Sequence, residues 1–171
     1  MKRKLALTAV LAVALAVTGY AQKKDFSGAW TLDQEGTTAA NPAPAAPPAG
    51  GGGGGGMGGM GGGRMGGGAG PITIKQTADA LTIERQGPNG PVSTVYKLDG
   101  SEFEVAGGRG GAAKAKAKWD GDKIAVEITR VGQDGAPVTS WTTYALDDKG
   151  QLWVENKGPN GSRKSVYKKT T

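Results

Sequence analysis

The chain has 171 residues, a formal charge of +6, and neither a cysteine nor a histidine. Those two absences exclude Ser-His-Asp and Cys-His catalysis, a zinc site of the usual nitrogen and sulfur ligands, disulfides, and lipidation on a cysteine. Lys2, Arg3 and Lys4 supply half of the excess charge, and the +3 left to the rest of the chain is too small to favour a nucleic-acid partner.

In chain order, that basic cluster precedes a largely apolar run from Leu5 to Val17, and Gly19-Tyr20-Ala21 then offers small residues at the spacing a signal peptidase accepts. Residues 1–21 are therefore expected to be a secretory signal peptide, cleaved after Ala21, which sends the protein to the periplasm or out of the cell. The run has 13 residues against the ~20 that span a bilayer. With no second apolar stretch behind it, no stable membrane insertion is expected once the leader is gone. Residues 22–171 remain as a single domain.

A first strand is expected over 27–32. From 36 to 70 the chain is nearly all Gly, Ala and Pro, with Met57, Met60, Arg64 and Met65 as the only long side chains. Such a segment cannot bury enough apolar surface to offset its ordering entropy, so it is read as a disordered insertion after the first strand. The three thioethers are the type of ligand that suits a soft ion such as Cu(I), but no His or Cys accompanies them. No metal site and no cofactor are expected.

Beyond Gly70, runs of five to nine residues of alternating character are punctuated by turn signals. The turns are 77–79, Gly87-Pro88-Asn89-Gly90, Asp99-Gly100, Asp120-Gly121, Asp134-Gly135, 147–150 and Gly158-Pro159-Asn160-Gly161. Asn-Gly and Asp-Gly recur because tight hairpins need positive φ. The runs predict strands over 71–76, 80–86, 92–98, 102–106, 113–119, 122–130, 138–146, 151–157 and 163–169. No 3.6-residue stripe interrupts them, so hairpins are expected throughout. The fold class is all-β, an antiparallel up-and-down meander closing into a barrel of about eight to ten strands. Two hairpins also align without gaps at an offset of 71 residues: Leu81, Ile83, Thr94 and Tyr96 match Leu152, Val154, Ser165 and Tyr167, around the two Gly-Pro-Asn-Gly turns. A duplicated hairpin accounts for this most simply.

Gly28-x-Trp30 on the first strand resembles the opening motif of lipocalins and other up-and-down barrels. Together with Trp119-Asp120-Gly121-Asp122 and the paired Gly-Pro-Asn-Gly hairpins, it makes residues 25–169 similar to a group of exported bacterial lipocalin-like proteins. The resemblance implies that Trp30 closes one barrel end beneath a basic side chain of the last strand, with Arg163 or Lys168 in that place through a cation–π contact. It implies a lipocalin-like barrel and brings no activity with it. The later loop motifs and disulfides of lipocalins are missing.

Paired acids could in principle run hydrolysis, and Asp120 with Asp122 and Asp147 with Asp148 are the candidates. Both pairs sit in turns, where Asp is favoured for its backbone hydrogen bonds, so no enzyme is expected. A binding site is easier to assemble. If Leu81 and Ile83 face inward, alternation carries Arg85 inward with them, and the same rule brings Thr94 and Tyr96, Thr142 and Tyr144, and Ser165 and Tyr167 to one side. Arg85, Thr94, Tyr96, Thr142, Tyr144 and Tyr167 are the candidate ligand contacts for a small, partly apolar molecule inside the barrel. The bland alternative is that the tyrosines simply fill a small barrel. Trp141 and Trp153 fall on the opposite parity. With the basic strand of Arg163, Lys164, Lys168 and Lys169 they define a second expectation, an envelope module that engages a protein or glycan on its outer face.

Overall fold

The computed structural model describes residues 23–42, 70–106 and 111–170. The expected signal peptide, residues 1–21, and the Met-rich part of the expected insertion, residues 43–69, lie outside them. All ten expected strands form: β1 Gly28–Leu32, β2 Ile72–Gln76, β3 Ala80–Gly87, β4 Gly90–Lys97, β5 Asp99–Ala106, β6 Ala112–Asp120, β7 Lys123–Val131, β8 Pro137–Leu146, β9 Leu152–Gly158 and β10 Gly161–Lys169. They build one antiparallel sheet in the order β4-β3-β2-β1-β10-β9-β8-β7-β6-β5, an up-and-down barrel that the β1–β10 ladder carries around and only the β4–β5 seam leaves open. Among the described residues no helix is long and apolar enough to cross a membrane.

Alternation sorts inside from outside most plainly on β6. The burial of β6 switches residue by residue, with Ala113, Ala115 and Ala117 inside and Lys114, Lys116 and Lys118 in solvent. Small alanines on this strand leave interior room that large side chains would occupy. The duplicated hairpins are also superposable in register: Leu81 pairs Tyr96 and Ile83 pairs Thr94, as Leu152 pairs Tyr167 and Val154 pairs Ser165.

One barrel end is shut by apolar packing. Phe26, just ahead of β1, and Trp30 are fully buried with Leu81, Ile124 and Leu152. The Trp30 indole N–H donates to the Phe26 carbonyl (2.9 Å), and the Phe26 amide donates to Gln76 Oε1 (3.0 Å), which ties the incoming chain across the end. The cation over Trp30 is Lys169, 5.6 Å from the ring centroid. Neither Arg163 nor Lys168 takes that place: Lys168 is one residue out of phase, faces outward and pairs with Asp33 (2.9 Å), while Arg163 lies at the far end of β10. Gly28 is what admits the lysine. It sits at φ +139°, and a Cβ there would fall 2.6 Å from Lys169 Cε.

Two further expectations are corrected. The insertion does not begin at 36, because residues 34–40 form a short helix, α1 (Gln34–Ala40). β1 stops at Leu32, opposite Tyr167, and leaves the upper edge of β10 without a neighbouring strand. The helix and its flanks cover that edge. The Asp33 amide donates to the Val166 carbonyl (2.8 Å) and Thr37 Oγ1 accepts from the Val166 amide (2.9 Å). Asn41 accepts from the Lys164 amide through Oδ1 (2.8 Å) and donates to the Lys164 carbonyl through Nδ2 (2.7 Å), as a strand residue would. Val166, on the outer parity, is consequently buried.

The second correction concerns Asp99-Gly100, which turns no hairpin. The chain reverses at Leu98, whose amide donates to the Asp79 carbonyl (2.8 Å), and Asp99-Gly100 opens β5 with an irregularity in its ladder to β6. β4 and β5 are therefore consecutive but unpaired. Tyr96 and Phe103 meet edge-on across the seam, their centroids 6.3 Å apart.

Replacing Asn41 by Ala strips both hydrogen bonds from the Lys164 peptide unit. Urea unfolding should show a loss of about 1–3 kcal/mol, with faster exchange of the Lys164 amide. An unchanged midpoint and unchanged exchange would mean that α1 is not the guard of this edge.

Candidate functional site

Above the apolar end the interior changes character. The next layer is aromatic, formed by Tyr96 on β4, Tyr144 on β8 and Tyr167 on β10, all buried. Register sets them beside the apolar residues of the closed end, because Tyr96 and Tyr167 pair with Leu81 and Leu152, and Tyr144 pairs with Ile124 and Val154. One step further along the same inward positions come Thr94, Thr142 and Ser165, and Arg85 follows one step beyond Thr94. Together these side chains border a cavity of about 250 Å³ towards the barrel end where the two Gly-Pro-Asn-Gly hairpins lie.

All six residues singled out from the sequence line this one cavity. Tyrosine packing and cavity formation coexist, since the rings fill the barrel's middle while the space above them stays open. Alternation taken one step further would also have found Arg130, which follows Ile124, Val126 and Ile128 on β7. The hairpin repeat would have found Asn156, because the 71-residue offset maps Arg85 onto it. Ser140 joins them from β8. Of the paired Asp residues, Asp147 makes the turn hydrogen bonds expected of it, whereas Asp122 is held by an ion pair. Asp147 Oδ1 accepts from the Lys149 and Gln151 amides (2.9 and 2.8 Å), and Asp122 pairs with Lys24 (3.0 Å).

The electrostatics of the cavity are one-sided. Arg85 and Arg130 line it, and no carboxylate does so among the described residues. Arg85 Nε is buried without a hydrogen-bond partner among those residues. Burial pushes the Tyr144 phenol far above its ordinary value, with the nearby Tyr96 and Tyr167 phenols adding to the rise and Arg85 opposing it. Tyr96 and Tyr167 are raised by burial too, and again Arg85 pulls the other way. The three phenols thus gather around one guanidinium and stay neutral at physiological pH. Thr142 Oγ1 donates to Asn156 Oδ1 (2.8 Å) and fixes the amide on the neighbouring strand. Neutral hydroxyl donors around an uncompensated cation form an environment complementary to an anion.

The chain is similar to two solved structures of a fatty acid transporter, REP1-NXSQ. The transporter itself is 21% identical over 59% of this chain and 70% of that one, with a TM-score of 0.48, and a point mutant of it is 20% identical over 58% and 71%, also at 0.48. No protein-family model and no curated protein matches the sequence.

The raised phenols set an alkaline limit. A tyrosine whose folded pKa exceeds its unfolded value of about 10 contributes stability that is complete below pH 10 and declines as the pH climbs towards the folded pKa. Denaturant unfolding between about pH 10 and 11.5 should therefore show stability falling with pH, and less steeply in Tyr144→Phe. Equal slopes in the two proteins would contradict the placement of Tyr144 in the interior.

Proposed function

We propose that the protein is an exported, non-enzymatic lipocalin-like carrier that holds a small, partly apolar molecule in the upper half of its barrel, in the periplasm or outside the cell. One observation carries the reading. Residues from β3, β4, β8 and β10, distant in sequence, converge on one cavity that is apolar on the β5–β7 side and hydrogen-bonding on the other, with a buried guanidinium nitrogen left unmatched among the described residues. Burying an unpaired polar atom costs free energy, which an acceptor on a bound molecule would recover. Export is supported by the basic and apolar leader.

The outer-face alternative has less behind it. Trp141 is exposed, but its indole N–H donates to Glu127 (3.2 Å), and the half-buried Trp153 donates to Asp147 (3.2 Å). The basic strand is divided rather than massed. Lys168 pairs with Asp33 on the outside, Lys169 closes the apolar end, and Arg163 lies at the other end of the strand.

Native mass spectrometry of protein purified from its source should detect a copurifying small molecule. Tyr96→Ala, which removes one wall of the cavity at the seam, should reduce its retention by about tenfold or more, the scale of one lost hydrogen bond and its packing. Undiminished retention by a variant that keeps its β-sheet circular dichroism would place the molecule elsewhere. Recovery of a protein or glycan partner through Trp141, with an empty barrel, would favour the outer face.

A further inference from the structure

The cavity also constrains the chemistry of its occupant, an inference that rests on the reading of this space as a ligand site. Its volume of about 250 Å³ lies below the ~300–1,000 Å³ typical of pockets for drug-sized ligands. Scaled from the ~150 Å³ cavity that accepts benzene, it has room for about ten non-hydrogen atoms. A long acyl chain exceeds that volume and would run out through the mouth. The floor offers no escape, because Trp30, Phe26, Leu81 and Leu152 close it with no surface left open.

The lining is sided. Val105 and Ala106 on β5, Ala113 on β6 and Ile128 on β7 form an apolar wall. Opposite it, β3, β4 and β8 to β10 present Arg85 and the hydroxyls of threonine, serine and tyrosine. Most of the lining can hydrogen-bond, which an alkyl chain would leave unsatisfied at a cost for each group it dries. An acid group facing Arg85 would give the guanidinium a charge-assisted partner, and hydroxyls on the ligand would meet those of the wall. Arg130, exposed at the mouth, adds positive potential along the approach to the cavity.

We propose that the cavity takes a small hydroxylated carboxylic acid with one apolar edge, bound through its carboxylate to Arg85, and that it rejects long-chain fatty acids. A ring bearing an acid and at least one hydroxyl satisfies both walls at the available size. A site built from hydroxyl and guanidinium groups discriminates strongly against an analogue that lacks the matching polar group.

Isothermal titration of the mature protein with para-hydroxybenzoate, shikimate, para-cresol and palmitate tests this. At least one of the two hydroxy acids should bind, about tenfold or more tighter than the neutral para-cresol. Palmitate should show no saturable binding. Arg85→Gln should weaken the acid by about tenfold or more while leaving para-cresol unaffected, which separates loss of the charge from damage to the cavity. Palmitate binding as tightly as the hydroxy acids, or para-cresol matching them, would overturn this assignment and leave the barrel a carrier of another ligand class. Binding of none of the four, with no molecule copurifying, would overturn the assignment and the carrier reading together.

Discussion

A guanidinium turned into a barrel, with no carboxylate beside it among the described residues, is the constraint around which the upper half of this molecule is arranged. Alternation on β3 sends Arg85 to the same side as Leu81 and Ile83, so the strand that supplies two core residues must also bring a cation indoors. An unpaired charge is tolerated in a protein interior only where polar groups or water solvate it. Here the neighbours are three neutral phenols and a set of smaller hydroxyls, which soften the cost without cancelling the charge. The cavity is the outcome: solvation by hydroxyls needs space, and the alanines of β6 help to leave it.

The other half of the barrel answers that cost with ordinary packing. Trp30, Phe26 and the aliphatic residues above them bury completely, and Lys169 lies over the tryptophan because Gly28 has no side chain to block it. One end is therefore closed by apolar packing while the other is polar and open. The duplicated hairpin shows how little change separates the two roles. Its two copies share Tyr96 and Tyr167, Thr94 and Ser165, and the turn, yet the first places Arg85 where the second places Asn156.

Much of this was legible in the sequence, for a specific reason. A period of two leaves no freedom once one residue of a strand is known to be buried, and Leu81 and Ile83 determined Arg85 just as Ile124 to Ile128 determined Arg130. Lys169 follows from the same parity as Tyr167, whereas Lys168 and Arg163 were candidates only because the resemblance calls for a basic side chain on the last strand. The helix α1 was not legible. Its seven residues include Gly36 and two threonines, carry no apolar stripe and bury no side chain, and what holds it is the edge of β10 that β1 leaves bare. The unpaired β4–β5 seam was equally hidden, because Asp99-Gly100 is an ordinary hairpin signal and nothing local to it says that these two strands do not pair.

The most direct measurement is the unfolding free energy of ligand-free protein with Arg85 replaced by Met, an unbranched side chain without charge. If the guanidinium is retained for what it binds and not for what it holds together, the variant should be as stable as the parent or more so, by up to about 1–4 kcal/mol. A loss of about 2 kcal/mol or more on removing the charge would show that Arg85 is a structural strut, and the picture of an interior built around an unanswered cation would fail.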